Sequence, residues 1–152
     1  MKNQRDFEWV MRSGSEEWDT LFERWAQTNS LGAWSYVRTL CHSIQPEVRA
    51  AGMRVVGVFH NTKARSLLQA GLADADCLVR ETAGRSVLKL RDDELARFLP
   101  SLIRCLRLRR FELWDTADQV FERLGKQFPQ QIRSLLRNND PDVRYFAGRA
   151  LS

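Results

Sequence analysis

Three stretches of this chain spell the same helical pattern at an almost constant interval. Pro46-Glu47-Val48-Arg49-Ala50-Ala51-Gly52-Met53-Arg54-Val55 aligns with Cys77-Leu78-Val79-Arg80-Glu81-Thr82-Ala83-Gly84-Arg85-Ser86-Val87 and with Pro141-Asp142-Val143-Arg144-Tyr145-Phe146-Ala147-Gly148-Arg149-Ala150-Leu151. Each holds a Val-Arg pair and a second arginine five residues after the first. Val48 and Val79 are 31 residues apart, and Val143 follows Val79 by 64, two steps of 32. The copy missing between them should begin near residue 111, where Leu113-Trp114-Asp115-Thr116-Ala117-Asp118-Gln119-Val120 keeps the apolar frame but has Trp114 in place of arginine. A period of about 31–34 residues suits a helix-turn-helix unit that cannot bury its apolar face alone and must stack on its neighbours.

The intervening segments read as helices too, because β-branched alternation with period two never persists while apolar spacings of three and four recur throughout. Ser15 is placed to cap a first helix with the stripe Trp18, Leu21, Phe22 and Trp25. A second carries Leu31, Trp34, Val37, Leu40 and Cys41, and Pro46 opens a third that reaches Phe59 on Val48, Ala51 and Val55. Lys63 to Leu72 makes the fourth, and Asp74-Ala75-Asp76 opens the next through Val79, Ala83, Val87 and Leu90. Asp92-Asp93-Glu94 leads one long helix through Leu106; Phe111 to Leu124 is closed by Gly125, and Pro129 to Arg137 and Val143 to Leu151 complete the series. Short loops between such helices make sequence neighbours antiparallel.

Asp140-Pro141-Asp142-Val143-Arg144-Tyr145-Phe146-Ala147 resembles the first helix of HEAT repeats, in particular the short repeats of the phycobilisome-lyase type, which read approximately D-P-x-V-R-x-x-A-x-x-A-L. Phe98-Leu99-Pro100-Ser101-Leu102-Ile103 is similar to the proline and apolar pair of that family's second helix. The resemblance covers about residues 45–152 and implies an all-α, right-handed α-solenoid of about four to five repeats, the last one truncated. On this reading residues 1–152 form a single domain: an N-terminal extension (1–14), a degenerate first repeat (15–44), repeats at 45–74, 75–108 and 109–139, and a final half repeat (140–152). The resemblance also implies that Arg49, Arg80 and Arg144 are ladder residues meeting acids of adjacent repeats, with Glu47, Asp74, Asp76, Asp140 and Asp142 available. Arg54, Arg85 and Arg149 read as ladder or solvated groups.

Charge narrows the function. Twenty of the 24 basic residues are arginine, and the net charge of +5 arises after residue 45: residues 1–45 hold 5 basic and 6 acidic groups, residues 46–152 hold 19 and 13. Arginine usage of this kind reports either an anionic partner or genome base composition. In a HEAT-like superhelix the second helices line the concave surface, and here their polar faces are basic: Lys63 and Arg65, then Arg97, Arg104 and Arg107, then Arg133 and Arg137, with Arg109 and Arg110 extending the run. Such a stripe is either an ordinary solvated face or a site for an acidic protein surface or a phosphate backbone. Trp9 and Trp114 are candidate aromatic anchors, Trp9 alternatively a cap over the first repeat.

Catalysis has little to rest on. His42 adjoins Cys41, but neighbouring helical residues point about 100° apart, and the sequence holds no glycine-rich phosphate loop, H-E-x-x-H or paired-cysteine metal motif. Trp114, Asp115 and Asp118 are reminiscent of HEAT-like alkylpurine DNA glycosylases, whose remaining pattern is missing. Cys41, Cys77 and Cys105 cannot all pair and read as core thiols of a reducing compartment. Met1-Lys2-Asn3-Gln4-Arg5-Asp6 leads into no apolar segment, so a cytoplasmic protein without membrane association is expected. The expectation is a non-enzymatic module without cofactor or metal that binds a macromolecule, foremost a protein with an acidic surface and alternatively DNA or RNA. An uncovered apolar face on the final half repeat would also allow self-association.

Overall fold

In the computed structural model, which describes residues 16–59 and 61–152, every regular element among the described residues is helical. α1 (Glu16–Thr28) and α2 (Ser30–Cys41) form the first pair, and α3 (Pro46–Val56) and α4 (Thr62–Leu72) the second. In the third, α5 (Cys77–Leu88) returns through α6 (Asp92–Leu95), a 3-10 turn at Ala96–Phe98, and α7 (Leu99–Arg107). A 3-10 turn at Phe111–Leu113 runs into α8 (Trp114–Gln127), which pairs with α9 (Pro129–Ser134) and its 3-10 extension Leu135–Arg137. α10 (Pro141–Leu151) follows.

Side-chain caps set many of the starts. Asn29 Oδ1 accepts from the Gly32 N–H at 3.0 Å, Asn61 Oδ1 from Ala64 at 2.8 Å, Asp76 Oδ1 from Leu78 at 2.9 Å and Asp140 Oδ1 from Asp142 at 2.9 Å. Each such cap stabilises its helix by about 1 kcal/mol. Pro46, Pro129 and Pro141 stand in first turns, where the missing N–H costs nothing. Pro100 acts differently. It cannot donate to the Ala96 carbonyl, so the helix expected to run unbroken from Asp92 to Leu106 tightens into 3-10 geometry over Ala96–Phe98 and resumes at Leu99.

Helices α3, α5, α8 and α10 touch one another in chain order, each also packed on its own hairpin partner or the preceding one, and α4 lies against α7. One continuous apolar cluster fills the space, with Phe22, Phe98, Leu102, Leu106, Phe121 and Val143 fully buried.

Several expectations are corrected by this packing. Leu31 is 82% exposed rather than part of the α2 stripe, because the capped start of α2 lifts it away from α1. In α3, Ala50 and Met53 are buried while Val48 and Ala51 are half-buried, so the inward face is turned toward α5. Phe59 and Leu90 lie past the ends of α3 and α5, although Phe59 still packs edge-on against Phe22 and Trp34, at centroid distances of 6.1 and 5.2 Å. Gly125 does not close α8. It lies inside the helix, where a Cβ would stand 2.5 Å from the Ala150 carbonyl oxygen, so glycine there permits the close approach of α10. Cys77 is exposed at the start of α5, whereas Cys41 and Cys105 are buried as expected. The side chains of Ser15, Trp18 and His60 lie outside the described residues.

Candidate functional site

The repeated Val-Arg arginines tie consecutive units together. Arg49 Nη1 donates to the carbonyls of Ser43 (2.9 Å) and Ile44 (3.1 Å), and its Nε and Nη2 grip Asp74, each at 2.9 Å. Arg80 Nη1 donates to Asp74 and Ala75 carbonyls at 2.8 Å each, while its Nε pairs with Glu112. Arg144 Nη1 donates to Asn138 (2.7 Å) and Asn139 (3.0 Å). One guanidinium nitrogen thus closes the loop entering each helix, and in the first two cases another reaches an acid beyond it: Asp74 at the end of its own unit for Arg49, Glu112 of the following unit for Arg80. Burial alone would raise the Asp74 carboxyl, but hydrogen bonds from Arg49 and the Asp76 N–H, with the charges of Arg49 and Arg80, hold it below the usual carboxylate range. The same pairing raises Arg49.

Trp114 interrupts this series, and Arg109 compensates. Glu112 and Asp142 occupy the same place in their units, and where Glu112 meets Arg80, Asp142 meets Arg109 instead. Arg109 reaches it from a left-handed backbone (φ 56°) at the end of α7. There its N–H bonds the Leu106 carbonyl at 2.9 Å and the Arg110 N–H bonds Cys105 at 3.1 Å, the pattern of a Schellman cap normally built on glycine. Arg123 is a further clasp that the sequence pattern did not single out. Its guanidinium bonds Asp92 (2.6 Å), Leu88 (2.7 Å) and Leu90 (2.7 Å), fastening α8 to the turn of the preceding hairpin. Arg54 pairs with Asp19 at 2.8 Å and Arg149 with Asp118 at 3.3 Å, both between neighbouring first helices, whereas Arg85 pairs within α5 with Glu81.

The second helices differ in charge from the first. Residues 61–72, 92–110 and 128–139 contain nine basic and three acidic residues, the acids all in Asp92-Asp93-Glu94 at the start of α6, whereas α3, α5, the 111–127 segment and α10 together hold eight basic and seven acidic ones. Lys63, Arg97, Arg104, Arg107, Arg133 and Arg137 are all exposed. Arg107 donates to Asn138 Oδ1 and Arg133 to Gln130 Oε1, each at 3.4 Å, and among the described residues none of these six pairs with a carboxylate. Arg65 stands apart from them, half-buried and 3.4 Å from Glu94 of α6. The contact between α4 and α7 and the Arg107–Asn138 bond place these basic groups on adjoining elements.

Trp114 is half-buried in an aromatic cluster with Phe111 (5.2 Å) and Phe146 (5.7 Å), its Nε1 buried and unpartnered. Phe111 itself is 61% exposed beside Arg110. Trp9 lies outside the described residues.

No known protein family, curated protein or solved structure matches this chain.

A groove of about 570 Å³ lies between α1 and the C-terminal ends of α3 and α5, lined by Asp19, Glu23, Arg54, Val58, Phe59 and Lys89 among others. Its Asp19 and Arg54 are already joined to each other. Cys41 and His42 diverge, the first buried and the second exposed with its Nδ1–H donating to the Arg38 carbonyl at 2.7 Å. Burial pushes the Cys41 thiol up to about 12 and raises Cys105 as well, the opposite of what a nucleophile requires. Among the described residues no cluster of His, Cys, Asp and Glu could hold a metal ion, and no helix is long and apolar enough to cross a membrane.

Proposed function

We propose that this protein is a HEAT-like right-handed α-solenoid that acts without catalysis, docking an acidic protein surface on the basic face of its second helices. The observation that carries this reading is the lack of partners: six exposed cations, Lys63, Arg97, Arg104, Arg107, Arg133 and Arg137, share the second-helix segments, and among the described residues none of them pairs with a carboxylate. Folding alone would not select these six, because the contacts between units are made by other arginines already engaged: Arg49, Arg80 and Arg123 on the first helices, and Arg65 and Arg109 on the second-helix segments. Arginine suits the task, since its planar fork binds carboxylates bidentately and loses less hydration than lysine. An adaptor, an assembly factor or a toxin-neutralising inhibitor would each use such a face.

The test is a fluorescent polyglutamate peptide titrated against the wild type and the Arg104→Glu/Arg133→Glu variant. Weakening of at least tenfold, about 1.4 kcal/mol, supports the assignment; equal affinity removes it. The second reading is nucleic-acid binding on the same face, favoured by the exposed Phe111 ring next to Arg110, a stacking platform beside a cation. It predicts tighter binding of a short DNA duplex or RNA than of polyglutamate, with log K falling against log salt at roughly −0.9 per duplex phosphate neutralised.

A further inference from the structure

The turn from α7 into α8 leaves two bulky apolar side chains in water. Leu108 is 56% and Phe111 61% exposed, and neither belongs to the core cluster. The turn closes as a Schellman cap around Arg109, and in such a cap an apolar residue at the second position past the helix commonly folds back onto the last turn. Arg110 holds that position here, and Leu108 and Phe111 stay uncovered on either side of the Arg109-Arg110 pair. Described units flank this turn: α5 receives the 3-10 turn Phe111–Leu113, and Asp142 at the start of α10 meets Arg109. The two side chains are therefore not exposed for want of a neighbour.

They adjoin the basic face. Leu108 follows Arg104 by one turn of helix, its N–H bonded to the Arg104 carbonyl at 3.1 Å, so the two share a side of α7. Arg107 directly precedes it, and half-buried Arg110 has no carboxylate partner among the described residues. The Phe111 ring meets half-buried Trp114 edge-on at 5.2 Å, which widens the apolar patch. Exposed guanidinium groups speed encounter and fix orientation, whereas the contacts that hold a complex together are bulky side chains removed from water. Apolar residues scattered singly over a surface need no explanation, but these two stand within four residues of each other among unpaired arginines. A nucleic acid would stack on Phe111 and gain nothing from Leu108, while an apolar side chain packs on both. We infer that the acidic partner of the second-helix face carries a bulky apolar side chain, aliphatic or aromatic, which seats on Leu108 and Phe111 while its carboxylates meet Arg104 and Arg107. This inference rests on the docking role proposed for that face.

Two fluorescent peptides of equal length and charge test it on the full chain: one alternates glutamate with serine, the other glutamate with leucine and phenylalanine. The wild type should bind the apolar peptide at least tenfold more tightly, a difference of about 1.4 kcal/mol. Leu108→Ser/Phe111→Ser should lose that difference while keeping its affinity for the glutamate–serine peptide. Leu108→Ser alone, which leaves Phe111 on Trp114, should lose part of it. Arg104→Glu/Arg133→Glu should weaken both peptides. If the arginine variant weakens both but the wild type binds them equally, or if Leu108→Ser/Phe111→Ser retains the difference, the docking role stands and the apolar seat is refuted. If the arginine variant weakens neither, both are refuted. Binding of phosphatidylserine vesicles that depends on Leu108 and Phe111, with the two peptides indistinguishable, would assign the patch to a membrane surface and overturn the proposal.

Discussion

Removing the arginine from each loop clasp in turn should cost stability in the order Arg80, Arg49, Arg144. Methionine is the informative replacement, since it keeps most of the apolar stem and deletes only the guanidinium. At Arg80 the side chain is 7% exposed, its carboxylate partner Glu112 22%, and two backbone carbonyls lose their donor at once. A hydrogen bond to a charged group contributes about 1.5–3 kcal/mol and breaking a buried pair costs about 3–5 kcal/mol. Partial rehydration of Glu112 and of the exposed Ala75 reduces this, leaving about 3 kcal/mol for Arg80→Met. Arg144 makes the same two carbonyl bonds in an exposed setting with no acid, so Arg144→Met should cost about 1 kcal/mol or less. Arg49, with 19% of its side chain exposed and Asp74 as partner, falls between. Urea denaturation at neutral pH measures all three, and for a chain of this size each kcal/mol lowers Tm by about 2–4 °C. An Arg80→Met variant no less stable than Arg144→Met would refute the idea that these arginines lock one unit to the next.

Glycine substitutions should split by position: Gly125→Ala meets the Ala150 backbone and should cost about 1–3 kcal/mol, whereas Gly148→Ala meets nothing and should stabilise α10 by about 0.5–1 kcal/mol in the monomer; thermal melts decide. With Ellman's reagent at pH 8, Cys77 should react fast and alone, because a thiol near 12 carries about a thousandfold less thiolate than an ordinary one; three equally reactive thiols in the native state would contradict the burial of Cys41 and Cys105. Asp74 is held below its unfolded value, so its stabilisation is present above about pH 4 and is lost as pH falls through the lowered value. The stability gap between wild type and Asp74→Asn should accordingly be widest near neutrality and narrow in acid, as read by urea midpoints across that range.

The helical hairpins were legible because their evidence is local: apolar spacing, prolines in first turns, and Asp76 and Asp140 at helix entries all act within one turn of the residue concerned. The arginine clasps were legible in part. Arg49 finds Asp74 as the family resemblance implied, but Arg80 pairs with Glu112, which was not among the candidate acids, and Arg144 bonds only carbonyls. The choice depends on loop geometry that no spacing reveals. Arg109 looked like one more cation in a basic run because nothing in Leu108-Arg109-Arg110 signals a left-handed residue when glycine is absent. Arg123 was hidden for a similar reason, since its three acceptors lie more than thirty residues away. The basic residues of the second helices were legible as a list, while their separation from carboxylates emerged only once each arginine's partner was known.

If the unpaired cations of the second helices receive an acidic partner as proposed, their side-chain Nε–Hε resonances will register it. During titration of the isotope-labelled protein with polyglutamate, signals of Arg97, Arg104, Arg107, Arg133 and Arg137 should shift together, while those of Arg49, Arg80 and Arg123 stay in place. Shifts centred instead on Arg54, Arg85 and Arg149, or no shifts at saturating peptide, would contradict the account.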